Sequence, residues 1–152
     1  MLLHPDPEWS PGRTVMADQI RRVDYFYVEV PDKPGEGARL FGKLKEAGIN
    51  LLSFTAFPGP GGKAQIDLVP RDPDALLRAA KQAGLKLSAR KTAFFAEGPD
   101  RAGVVADLLG RLAGAGINVR AGNGCCAQGG GYGMILWVPQ EKLDDAAKAL
   151  GI

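Results

Sequence analysis

Two short loops, 68 residues apart, hold the groups best suited to chemistry in this chain. The first reads Asp32-Lys33-Pro34-Gly35-Glu36-Gly37 and is followed, after an amphipathic run, by Asn50-Leu51. The second reads Asp100-Arg101-Ala102-Gly103-Val104 and is followed by Asn118-Val119. Asp32 and Asp100, Gly35 and Gly103, and Asn50 and Asn118 keep one gap-free register. Glycine at a helix entrance lets a ligand approach the backbone, and first-turn N–H groups point outward at the positive end of the helix dipole. A carboxylate fits there. The carboxamides of Asn50 and Asn118 each offer donor and acceptor, and Asp32 and Asp100 can meet an ammonium. The set suits an amino acid or a similar small carboxylate. A fold-only reading uses the same residues: the glycines for a backbone angle or tight packing, the aspartates as helix caps, the asparagines for the turn after glycine. That reading fits each residue taken singly, whereas the duplicated loop as a whole favours binding.

What the chain lacks narrows the chemistry further. Its only histidine is His4, in a Pro-rich stretch, so Ser-His-Asp and Cys-His nucleophiles and HExxH zinc sites have no partner in the body. Its two cysteines are adjacent, Cys125 and Cys126; no further Cys or nearby His completes a metal site, and they read as small half-buried strand residues. No catalytic residue, metal or cofactor is expected. A net charge of +2 with scattered Lys and Arg gives no nucleic-acid surface. No apolar run approaches the roughly 18 residues that span a bilayer, and the first residues lack the apolar core of a secretory signal; the expected compartment is the cytoplasm. Gly122-Asn123-Gly124-Cys125-Cys126-Ala127 matches a dinucleotide fingerprint in letters alone, because it sits at a strand that returns to another strand and opens no helix.

The elements that must position the loops recur with the same register. Val23–Val30 alternates as a strand, with Phe26, Val28 and Val30 on one face and Tyr25 and Tyr27 on the other. A helix on Leu40, Phe41, Leu44 and Ala47 follows, then strands at Leu51–Phe57 and Ala64–Leu68. Asp72 and Pro73 open a second helix on Leu76, Leu77, Ala80 and Ala83, and Leu85–Lys91 reads as a fourth strand. The second copy runs Thr92–Glu97, a helix on Val105, Leu108, Leu109 and Leu112, strands Val119–Cys126 and Tyr132–Val138, and a helix on Leu143, Ala146, Ala147 and Leu150. Its fourth strand would start one residue beyond Ile152. Ile135 and Trp137 lie on the strand face away from the helices, which predicts that another module or chain covers that face.

The Asp-Lys-Pro-Gly loop, with a helix closing on Gly-Ile-Asn inside a βαββαβ module, resembles the ACT domain. ACT domains are small regulatory domains that bind amino acids and similar metabolites in enzymes such as phosphoglycerate dehydrogenase and aspartate kinase. The second copy departs from the pattern at Ala102, where Pro is common. The two copies cover residues 22–152, so the resemblance is to a free-standing tandem ACT protein, and no catalytic domain is expected. The fold class expected is α+β: two ferredoxin-like βαββαβ modules in tandem, antiparallel sheets with helices on one face, the second module without its last strand. The expected organisation is a flexible N-terminal tail over 1–20, one module over 21–91 and a second over 92–152. The resemblance implies a non-catalytic regulatory or sensory protein whose ligand sits between two modules, the Asp–Gly loop of one facing the Asn strand of the other.

Two other readings stand beside it: a small enzyme on a ferredoxin-like scaffold, and a dimerisation module without ligand. Dispersed carboxylates, lysines and tyrosines argue against the enzyme. A homodimer or larger assembly is expected, with an unknown partner enzyme. Second-strand pairing within one chain would part the two modules' connecting strands by about 29 Å at ~4.8 Å per strand. Residues 88–94 reach only about 20 Å when extended. The modules should therefore join end to end, leaving Thr92–Glu97 as an edge for a partner segment or the N-terminal tail to cover.

Overall fold

The computed structural model describes residues 17–127 and 129–152. His4 and most of the expected tail lie outside them. The first repeat supplies β1 (Gln19–Pro31), α1 (Glu36–Glu46), β2 (Leu51–Pro58), β3 (Lys63–Pro70) and α2 (Pro73–Ala83). The second supplies β4 (Lys91–Pro99), α3 (Val104–Gly114), β5 (Ala121–Ala127), β6 (Gly131–Trp137) and α4 (Leu143–Leu150). The six strands pair antiparallel in the order β2-β3-β1-β4-β6-β5.

Each repeat packs its helices on one face of its strands. In the first, Phe26, Val28, Val30, Ile66 and Leu68 meet Leu40, Leu44 and Leu76. In the second, Phe94, Ala96, Met134 and Leu136 meet Leu108, Leu112, Ala147 and Leu150. The helix starts follow the sequence: Asp72 Oδ1 accepts from Ala75 N–H at 2.9 Å, with Pro73 in the first helical position. A third core lies between the repeats, where Tyr25, Val69, Ala93, Phe95, Ile135 and Trp137 pack together with Val23 and Leu52. The first repeat thus covers the Ile135–Trp137 face, and Tyr25 meets Trp137 edge to face at 6.0 Å between ring centres.

β1 is longer than its sequence pattern. Gln19–Tyr25 pairs with β4, and Phe26–Pro31 pairs with β3. The first half of β1 therefore covers Thr92–Glu97, taking the place beside β4 that a closing strand of the second repeat would occupy. Gln19 and Ile20, expected in the tail, belong to this strand, and Ile20 packs against the second core.

Three expectations fail in detail. Leu85–Lys91 is not a strand: residues 85–90 form no ladder, and only Lys91 joins β4. Ser88 N–H donates to Tyr27 O at 2.8 Å, but Ser88 Oγ takes the Tyr27 N–H at 3.0 Å, so a side chain replaces the ladder bond. Leu85 and Leu87 still pack on the first core. On the helices, Val105 and Leu109 face outward, 50% and 37% exposed, while Val104 joins Leu108 and Leu112 inside. Cys125 and Cys126 lie on β5 but are exposed, because β5 is an outer strand. No helix among the described residues is long and apolar enough to cross a membrane.

Asp67 is the buried charged residue of the inter-repeat layer, 7% exposed, with Gln65 Nε2 donating to its Oδ1 at 2.8 Å. Burial raises its pKa, against the Gln65 hydrogen bond and the Lys91 charge. A carboxyl raised in the folded state contributes stability below its ordinary value of 3.8 and loses it as pH rises through the higher folded value. Asp67→Asn should therefore flatten the pH dependence of chemical denaturation above pH 4 and leave the variant at least as stable at neutral pH. Trp137→Ala, which empties the inter-repeat layer, should lower stability by about 3–5 kcal/mol in the same assay.

Candidate functional site

Both loops are built alike. After β1, Asp32 N–H donates to Gly62 O at 2.9 Å; after β4, Asp100 N–H donates to Gly130 O at 2.8 Å. Gly35 and Gly103 then turn the chain into α1 and α3 with φ of +91° and +88°. A Cβ on either glycine would have nothing within 4 Å, so the backbone angle requires glycine and packing does not. Neither helix has a side-chain cap. Asp32 and Asp100 therefore do not cap: in α1 the first amide, Glu36 N–H, donates to Lys33 O at 3.3 Å, and the other first-turn amides have no side-chain partner.

Around these amides the expected residues differ in burial: Val104 is buried, and Glu36 and Gly37 are half-buried. Residues 32–35 and 100–103 are exposed, as are Asn50 and Asn118, whose side chains make no hydrogen bond among the described residues. Leu51 and Val119 are half-buried and pack into the cores of their own repeats. Two charged members are already engaged. Glu36 Oε2 accepts from Arg39 Nη2 at 2.6 Å, and Arg101 bridges Asp107 at 2.6 Å and Asp18 at 3.2 Å. Hydrogen bonds from Asp107 first, then Asp18, raise the pKa of Arg101.

The strands that follow Asn50 and Asn118, β2 and β5, approach each other across the layer between the repeats. β2 and β5 lie at opposite ends of the strand order. The side-chain link between them is Asn123 Nδ2 donating to Thr55 Oγ1 at 3.2 Å, on the faces turned toward the other repeat. The hydrogen bonds and ion pairs of the described residues join neither Asn50 to residues 100–104 nor Asn118 to residues 32–37.

Sequence reasoning missed a cavity of about 520 Å³ between α3 and the β5–β6 strands. Val104 and Val119 line it, joined by Val105, Leu109, Gly122, Gly124, Cys126, Tyr132, Met134 and Leu136. The signal was present in the repeat register, where Gly122 and Leu109 stand at the positions of Phe54 and Phe41. Burial first, then Asp18, pushes the Tyr132 hydroxyl up to about 12. The Cys126 thiol is raised as well, chiefly by a hydrogen bond with Asp100, which makes it a poor nucleophile near neutral pH. Cys125 and Cys126 point to opposite faces of β5, and no group of three metal-ligating side chains occurs among the described residues.

Solved structures resemble this arrangement over nearly their whole length. Protein BT0572 from Bacteroides thetaiotaomicron matches with a TM-score of 0.73 at 16% identity, covering 86% of this chain and 88% of that one. The ligand-free regulatory subunit of aspartate kinase from Thermus thermophilus matches at 0.61 and 18% identity, over 91% of this chain and 97% of that one. A putative C-terminal regulatory domain of aspartate kinase from Porphyromonas gingivalis matches at 0.54 and 11% identity, over 88% and 94%. The fold is the tandem ACT fold. At these identities the likeness establishes architecture alone. A scan of protein-family models finds no match, and neither does a sequence comparison with curated proteins. The paired loops make a direct comparison possible: Gly35→Ala and Gly103→Ala should each cost about 1–2 kcal/mol, measured by urea denaturation, with no rearrangement of neighbours.

Proposed function

We propose that this tandem ACT chain is a non-catalytic regulatory or sensory protein that binds an amino acid or a similar small carboxylate. The observation that carries the reading is the twice-built loop: a helix start without a side-chain cap behind a left-handed glycine, with an exposed aspartate beside it. Open first-turn amides attract a carboxylate, and Asp32 or Asp100 pairs with an ammonium. The regulatory subunits and domains of aspartate kinase among the similar structures support a regulatory role for such an architecture.

Assembly belongs to the same reading. β2 and β5 are the outer strands, and Phe54, Phe57, Val105 and Leu109 are exposed on or beside them. Pairing of these edges with a second copy would set the loop of one chain against the Asn strand of another. The unpaired thiols of Cys125 and Cys126 on an exposed strand suit a reducing compartment, the cytoplasm.

A thermal-shift screen against the twenty amino acids tests the function. A ligand present at 100 times its dissociation constant should stabilise the fold by about 2.7 kcal/mol. At least one amino acid should raise the melting temperature by several degrees. A flat response across all twenty at millimolar concentration would sink the reading.

A further inference from the structure

The two repeats differ where the cavity lies. In the 68-residue register, Phe41 of α1 corresponds to Leu109 of α3, and Phe54 of β2 to Gly122 of β5. Phe41 and Phe54 meet edge to face with ring centres 5.0 Å apart and fill the space between α1 and β2. In the second repeat neither ring is present, and the same space is the open volume of about 520 Å³.

We propose that the second repeat holds a small-molecule site that the first lacks, and that its ligand is an α-amino acid with an apolar side chain. This rests on the amino-acid-binding reading and narrows it to one repeat and one ligand class. Three observations carry it. The volume falls within the roughly 300–1,000 Å³ of small-ligand sites. The interior is apolar and presents no charged residue, so a charged ligand side chain would lose its hydration without a partner. The rim complements a zwitterion: Val104 and Val105, the uncapped first turn of α3, belong to the lining, and Asp100 lies against Cys126 at the edge. The carboxylate meets the amides, the ammonium meets Asp100, and the side chain takes the space that the two phenyl rings fill in the first repeat.

Titration calorimetry of the full chain with L-isoleucine, L-leucine, L-methionine and L-phenylalanine, against L-lysine, L-aspartate and L-threonine, tests this. Gly122→Phe rebuilds the missing plug. A Cβ there meets only the Leu136 Cδ2 methyl at 3.2 Å and Ile135 O at 3.7 Å. Leu109→Phe plugs the cavity from the helix and leaves the strand untouched. Phe41→Leu with Phe54→Gly opens the first repeat in the same way. At least one apolar amino acid should bind with one site per chain. Either plug should weaken it tenfold or more with the melting transition kept, and the opening double variant should raise the stoichiometry toward two. Binding of lysine, aspartate or threonine in place of the apolar set would overturn this inference while amino-acid binding stands. Apolar binding that survives both plugs would place the site elsewhere. If none of the amino acids binds and either plug dissociates a dimer in sedimentation, the cavity is the seat of a second copy, and both readings fall.

Discussion

β1 pairs with β4 up to Tyr25 and with β3 from Phe26 onward, so one strand completes the sheets of both repeats. Its alternation serves three cores at once. Ile20 points to the helices of the second repeat; Phe26, Val28 and Val30 point to those of the first; Val23 and Tyr25 fill the layer between. A repeat of about 65–70 residues buries too small a fraction of its surface to be comfortably stable alone. The shared strand and the layer around Trp137 remove that weakness by making the repeats one cooperative body. They also decide which edges remain free, because pairing through β1 and β4 puts β2 and β5 outermost.

The sequence made most of this legible through periodicity and punctuation. The alternation of Phe26, Val28 and Val30, the cap at Asp72 and the apolar excess of Ile135 and Trp137 each stated a local fact that the packing honours. What misled was pattern without context. Leu85–Lys91 alternates like a strand, yet the Ser88 hydroxyl takes the Tyr27 amide, and Arg90 turns out to pair with Asp24 and Asp74. Val105 and Leu109 read as core because they continue an apolar stripe, but a helix buries only the stripe that faces its sheet. Both line the cavity that also has Gly122 in its wall, a relation between elements that no window of sequence contains.

The two duplicated loops show the same division. That Gly35 and Gly103 adopt a left-handed angle was foreseeable from their place before a helix, and the structure removes the rival explanations of packing and capping. The engagement of Arg101 by Asp18 and Asp107 was not foreseeable, since Asp18 arrives on the segment leading into β1. That pairing fixes the second loop from two sides, whereas in the first loop Glu36 holds only Arg39 on its own helix. The duplicated motif therefore does not imply duplicated behaviour.

The outer strands carry the last consequence of the shared β1. Exposed strand edges are commonly blunted by lysine or proline. β5 reads Ala-Gly-Asn-Gly-Cys-Cys-Ala and has neither, while β2 ends at Pro58. β5 is also one wall of the cavity. A chain that pairs with β5 must lie against that wall, beside Gly122 and Gly124, and the proposed ligand would press on the same backbone from the helix side. Occupancy and assembly at one strand are linked quantities: whatever factor the ligand applies to pairing, pairing applies to the ligand's affinity. The first repeat, with its rings packed against each other, has no such second input at its own edge.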